Sequence, residues 1–135
     1  MATHNTLLGD DSLIPHPDGF AVALRIPWYR SLWLSAVSEI RVNVDGVEIA
    51  QDRMHAELNG RSFPVQALKE QWDTLWFMQD RLHVVVHRDR PLRPGERLDV
   101  DVTISMRILY MQIAPMTYVT NRVHGHRELT ARAAA

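Results

Sequence analysis

Apolar and polar residues alternate with a period of two through much of the chain. In "SEIRVNVDGVEIA", Ile40, Val42 and Val44 alternate with Arg41 and Asn43, and Asp45-Gly46 then precedes Val47 and Ile49. A two-residue Asp-Gly loop favours a type I′ turn, which pairs Val44 with Val47 and puts the apolar residues on one face. "RMHAELNGRSFPV" repeats the pattern: Asn59-Gly60 joins Met54, Ala56 and Leu58 to Phe63 and Val65, and Pro64 marks an edge or the end of pairing. The longest alternation is "RLDVDVTISMRILYM". It predicts a strand with Leu98, Val100, Val102, Ile104, Met106 and Ile108 inward and Asp99, Asp101, Thr103, Ser105 and Arg107 outward.

The remaining elements are shorter. "GFAVALRIP" predicts a strand over residues 20–26 that Pro27 ends, and "RLHVVVHR" reads as a nearly continuous apolar strand. In "QALKEQWDTLW", Leu68 and Trp72 lie four apart among good helix formers, enough for a turn or two of helix. Seven to eight strands punctuated by Asp-Gly, Asn-Gly and Pro-Gly, with one short helix, predict an all-β, antiparallel β-sandwich. Residues 1–18 have no sustained period and read as an N-terminal arm. The sandwich domain covers 19–113, and 114–135 reads as a polar C-terminal tail, mobile or ordered by a partner.

Composition narrows the functional classes. At 135 residues the chain has the size of one domain. Its formal net charge of -1, from 15 basic and 16 acidic residues, gives no electrostatic reason to expect nucleic acid or an anionic membrane. Without cysteine, disulfides and thiolate metal sites are excluded. The start does not look like a secretory signal, and no segment reaches the roughly 18 to 20 apolar residues of a membrane span, so a soluble cytoplasmic protein is the default expectation.

No catalytic or metal motif is strong. His83 and His87 share a strand face but lie about 13 Å apart at the strand rise, too far to ligate one ion without bending. His55 stands alone on the outward face of its hairpin, and His124 and His126 fall in the tail, so these read as ordinary polar or partner-facing histidines. Asp99 and Asp101, and likewise Asp10 and Asp11, read as solvated charge. The serines lack the context of a nucleophile, and no glycine-rich phosphate loop is present. The expectation is therefore no catalytic residue and no metal in this chain.

One segment demands another explanation. "RIPWYRSLWLS", residues 25–35, fits neither the helical nor the strand period and reads as a corner or protruding loop. Burying Trp28, Tyr29 and Trp33 would remove about 450 to 750 Å² from water, and leaving them bare would rival the largest apolar patch on an ordinary monomer. Trp, Tyr and Arg also dominate interface hot spots. Trp28, Tyr29, Arg30 and Trp33 are accordingly the expected partner-interface or active-site-border residues, with ordinary core packing and a ligand platform as the alternatives.

At this point "LRIPWYRSLWLSAVSEIRVNVDGVEI" resembles the signature of the C-glycoside deglycosidase β subunits. Arg25, Pro27, Tyr29, Arg30, Leu34, Ser35, Asp45 and Gly46 match it, while Trp28 stands where the family often has Tyr. The later "LRPGERLDVDVTISMRILYM" looks like the family's closing turn and long final strand. The resemblance implies a small β-sandwich subunit of a hetero-oligomer, paired with a TIM-barrel α subunit that holds a divalent metal, manganese. It implies a carbon-carbon lyase acting on 3-oxo-C-glycosides of aromatic aglycones, with base, Lewis acid and most substrate contacts in the α subunit. Two alternatives stand beside it: a carbohydrate-binding β-sandwich module whose Trp rings stack on sugars, and a stand-alone metal enzyme using His55, His83 or His87.

Overall fold

The computed structural model describes residues 7–26, 31–115 and 117–131. Its strands are β1 (Leu13–His16), β2 (Gly19–Arg25), β3 (Leu32–Trp33), β4 (Val37–Val44), β5 (Val47–Glu48), β6 (Met54–Leu58), β7 (Arg61–Pro64), β8 (Leu75–Trp76), β9 (Arg81–His87), β10 (Arg97–Ala114) and β11 (Thr117–Thr130). They form a five-stranded sheet ordered β1-β2-β9-β6-β7, a four-stranded sheet ordered β11-β10-β4-β5, and the small pair β3-β8. Every pairing is antiparallel. The fold is all-β, as the alternation predicts, with a third small sheet beside the two large ones.

The two hairpins form as their turn residues dictate. Asp45 and Gly46 have φ of 52° and 84°, Asn59 and Gly60 51° and 84°, the positive values a type I′ turn requires. Val44 pairs with Val47, and Leu58 with Arg61. Asp45 does more than turn: its N–H donates to the Asp99 carbonyl and its Oδ1 accepts the Asp99 N–H, both at 2.9 Å, tying the turn to β10. Val47 departs from the one-face expectation. On a two-residue strand at the sheet edge, it stands 64% exposed.

The core lies between the large sheets. Phe20, Val22, Leu24, Leu82, Val84 and Val86 supply it from one side, and Ile40, Val42, Val100, Val102, Ile104 and Met106 from the other. The predicted inward set of the long strand, Leu98 through Ile108, is buried throughout.

Both chain ends differ from the arm and tail that composition suggests. Leu7, Leu8 and Leu13 are fully buried, the Arg25 N–H donates to the Leu7 carbonyl, and Leu13–His16 adds a strand beside β2. At the other end, β11 pairs with β10 from Arg97↔Thr130 to Ile108↔Val119. Its polar composition belongs to a solvated edge: His126 bonds Asp99 at 2.6 Å, His124 bonds Asp101, and Arg97 bonds Glu128. Asp99 and Asp101 are therefore paired outward charges.

The predicted helix is a 3-10 turn over Val65–Glu70 that stops short of Trp72 and Trp76. The Ser35 N–H takes the Gln71 carbonyl at 3.1 Å and the Leu34 N–H takes that of Thr74 at 2.7 Å, acceptors a continuing helix would need. Leu75 and Trp76 instead pair with Trp33 and Leu32. Among the described residues, no helix is long and apolar enough to cross a membrane.

Candidate functional site

The outer face of the five-stranded sheet carries a connected group of ionisable side chains, His16, His55, Glu57 and His87. Strand register builds it. Along one row Ile14, Ala21, Val85 and His55 are neighbours; the next row places Ala23, His83 and Glu57 together; the row on the other side aligns His16, Gly19 and His87. Ala21, Ala23 and Val85 are buried although they lie outside the inter-sheet core. Histidines and a glutamate stand beside this floor of small residues.

The polar groups bond to one another. His55 Nε2 lies 2.9 Å from Glu57 Oε2, and His55 Nδ1 lies 2.8 Å from His87 Nε2. His16 Nδ1 accepts the Asp18 N–H at 3.1 Å, so its protonated Nε2 faces Glu57 Oε2 at 3.5 Å. The His55 hydrogen bond holds the Glu57 carboxyl below the ordinary glutamate range, against the opposing cost of burial. Burial pushes the His83 imidazole below its usual value despite the pull of Glu57.

His55 is thus not alone. The separation of His83 from His87 holds along β9, but β9 lies between β2 and β6, so His87 meets His55 across the sheet. His16, Asp18 and Glu57 complete a neighbourhood that sequence spacing does not reveal. Its local trace is the outward His55-x-Glu57 pair on β6, alternating with inward Met54, Ala56 and Leu58.

The aromatic segment forms a second feature. Trp28, Tyr29 and Arg30 lie outside the described residues. Trp33 is described, on β3, with 47% of its surface exposed. Residues 31–36 are strapped to 71–78 by the Leu34–Thr74 and Ser35–Gln71 bonds, by Ser31 Oγ accepting the Met78 N–H at 2.9 Å, and by the β3-β8 ladder. Leu32 and the fully buried Trp76 anchor the strap, the Trp76 indole donating to the Asp80 carbonyl at 3.0 Å. Trp72, Phe77 and Met78, on the facing segment, are exposed like Trp33. The corner expected from broken periodicity is, from Leu32 on, a short strand and a 3-10 turn.

Of the matched signature residues, Leu34 and Ser35 are buried, Asp45 and Gly46 form the tied turn, and Arg25 lies near Asp11 at 3.9 Å. Pro27, like Tyr29 and Arg30, lies outside the described residues.

A family model described as "C-glycoside deglycosidase beta subunit" matches residues 14–110, a span that contains both the histidine face and the aromatic strap. The chain belongs to this family. A C-glycoside deglycosidase beta subunit of Arthrobacter globiformis is 49% identical over 129 residues, covering 96% of this chain and 98% of its own. A 3'-dehydrocarminate deglycosidase beta subunit of a Microbacterium species is 33% identical over 113 residues, 80% of each chain. A C-glycoside deglycosidase beta subunit of Microbacterium trichothecenolyticum is 29% identical over 94 residues, 70% of each chain.

Among the described residues, no serine or threonine hydroxyl is hydrogen-bonded to a histidine. The histidines' partners are carboxylates, another histidine and a backbone amide. The arrangement can bind a cation or store protons; it does not assemble a hydroxyl nucleophile with its base.

Proposed function

We propose that this chain is the non-catalytic but required β subunit of a carbon-carbon lyase that cleaves the C-glycosidic bond of 3-oxo-C-glycosides of aromatic aglycones. The observation that carries the reading is the 49% identity, over nearly the full length of both chains, to a C-glycoside deglycosidase beta subunit. A β subunit implies an α partner, and the partner in this reading is a TIM barrel in a cytoplasmic hetero-oligomer. In such a substrate the 3-ketone acidifies the C2 proton, and its removal permits β-elimination of the aglycone with protonation of the aglycone carbon. The α subunit holds the base, and its divalent metal, manganese in this reading, supplies Lewis acidity toward the ketone.

The share of this chain is assembly. Large apolar area is exposed by Trp33, on the segment that follows Trp28, Tyr29 and Arg30 in sequence, and by Trp72, Phe77 and Met78 on the segment strapped to it. Burial against the α subunit would remove that area from water and border the active-site mouth. Reconstitution tests this: a 3-oxo-C-glucoside should be cleaved by the two subunits together and by neither alone. Activity of this chain alone, or full activity of the partner without it, would refute the reading. Calorimetry with free sugars and glycosylated aromatics should detect no binding to this chain by itself. Measurable binding would favour a carbohydrate-binding module.

A further inference from the structure

We propose that the outer face of the five-stranded sheet holds one divalent transition-metal ion of the zinc type, ligated by His55 Nδ1, His87 Nε2 and the Asp18 carboxylate. The inference does not rest on the subunit reading. It also revises the expectation that this chain binds no metal.

One ligand atom from each of the three residues lies within 4.8 Å of the others. The two imidazole nitrogens are 2.8 Å apart. In a tetrahedral site with Zn–N bonds of about 2.0 to 2.1 Å, neighbouring nitrogens sit about 3.3 Å apart, so a small rotation of either ring opens the pair to the required bite. Two imidazoles and a carboxylate suit a borderline ion such as zinc better than magnesium or calcium. Three protein ligands leave a fourth position for water.

The hydrogen-bond network selects the competent tautomer of His55. Its Nε2 faces Glu57 Oε2 at 2.9 Å, and a carboxylate can only accept, so the ring proton sits there and the Nδ1 lone pair faces His87. A carboxylate behind the distal nitrogen of a ligating histidine is the usual outer support of a metal site; it orients the ring and raises its basicity. In the ion-free form His87 donates its Nε2–H to His55. Binding moves that proton through solvent to His87 Nδ1, which frees the Nε2 lone pair for the ion. The two positive charges of the ion then face the negative charges of Asp18 and Glu57.

Asp18 is placed by backbone constraints that side-chain packing alone would not impose. Its N–H donates to His16 Nδ1 at 3.1 Å, and its carbonyl accepts the Arg88 N–H at 2.9 Å. Gly19, paired with His87, has φ of 150°, and a Cβ there would lie 2.2 Å from the Val86 carbonyl oxygen. Only glycine lets the turn lie this closely on β9. The turn is thereby pinned beside His87, with the Asp18 carboxylate 3.9 Å from His16 Nδ1. Of the nearby cations, Arg53 donates to the His87 carbonyl at 3.1 Å and the Arg88 guanidinium lies over the Phe20 ring, 5.8 Å from its centroid. A bound ion would cross-link the β1-β2 turn to β6 and β9.

The test uses the tag-free full chain, stripped with a chelator and titrated with Zn²⁺ by calorimetry and with Co²⁺ by visible absorption. One ion per chain should bind, with cobalt bands of a low-coordinate nitrogen-oxygen site. His55→Ala and His87→Gln should each weaken binding at least about tenfold, and Glu57→Gln by about 10- to 100-fold without removing a ligand. Asp18→Asn should weaken it while leaving the fold intact, which keeps the test valid if a histidine variant is unstable. The double variant His124→Ala/His126→Ala, on the opposite sheet, should bind as the wild type. Wild-type binding no tighter than that of Asp18→Asn and His87→Gln, or loss of binding only in the His124/His126 variant, would overturn the proposal.

Discussion

Replacing Trp33 by Ala removes one of the large exposed rings while leaving its anchors, Leu32 and Trp76, in place. With 47% of its surface in solvent, a Trp side chain of about 250 Å² offers about 120 Å² to a partner. At about 25 cal/mol per Å², covering that area is worth about 3 kcal/mol, a ceiling because ordering and desolvation of polar neighbours subtract from it. One tenfold change in Kd corresponds to about 1.4 kcal/mol, so the expected loss of affinity for the α subunit reaches about 100-fold. The chain itself should lose little stability, because β3 pairs with β8 through backbone groups that the substitution leaves intact. Calorimetric titration of the variant into purified α subunit measures the first quantity, and urea unfolding of the variant alone measures the second. Val47→Ser, which removes an apolar side chain 64% exposed on β5, serves as the matched control and should bind as the wild type. An unchanged Kd for Trp33→Ala, or an equal loss for Val47→Ser, would refute the assignment of the interface to the aromatic strap.

Three further outcomes follow from the fold. Trp76→Ala empties a fully buried site and should cost about 3 to 5 kcal/mol in urea unfolding; Trp76→Phe leaves the Asp80 carbonyl without its indole donor and should cost about 1 kcal/mol or more. Gly19→Ala must either displace the β9 backbone or abandon a φ of 150°, so a loss of at least about 1 to 3 kcal/mol is expected, and a melting temperature equal to wild type would refute the close approach of the turn. Asp11→Asn removes the carboxylate that lies 2.8 Å from Arg81 and 3.9 Å from Arg25, two cations directly opposite in the β2-β9 register. The Arg81 guanidinium beside it holds the Asp11 carboxyl below its ordinary value of 3.8, although burial opposes it. The stabilisation is therefore complete above that value and disappears as pH falls through the lower folded-state pKa. Partial exposure limits its size to about 1 kcal/mol. The urea midpoints of wild type and variant should differ at neutral pH and converge on acidification; a constant gap would contradict the assignment.

What the sequence makes legible is whatever two neighbouring residues decide. Asp45-Gly46 and Asn59-Gly60 specify their turns from local backbone preference, and the alternation from Leu98 to Ile108 specifies which side of β10 meets the core. Strand order is different in kind. Nothing in "RLHVVVHR" says that it lies between "GFAVALR" and "MHAEL", and only that order sets His87 beside His55 and Glu57 beside His83. The edge strand β11 escaped for a related reason: one of its faces is solvated, so its polar residues imitate a tail until their partners on β10 are known. Outward positions Ala21, Ala23 and Val85 nevertheless carry a usable signal. Small apolar residues on the outward side of two neighbouring strands leave room for longer side chains from the strands beside them, and here all three are buried. On this sheet the histidines and Glu57 line that same face beside the buried Ala21, Ala23 and Val85, and the order β2-β9-β6 sets His55 within hydrogen-bonding distance of His87 while Glu57 stands opposite His83.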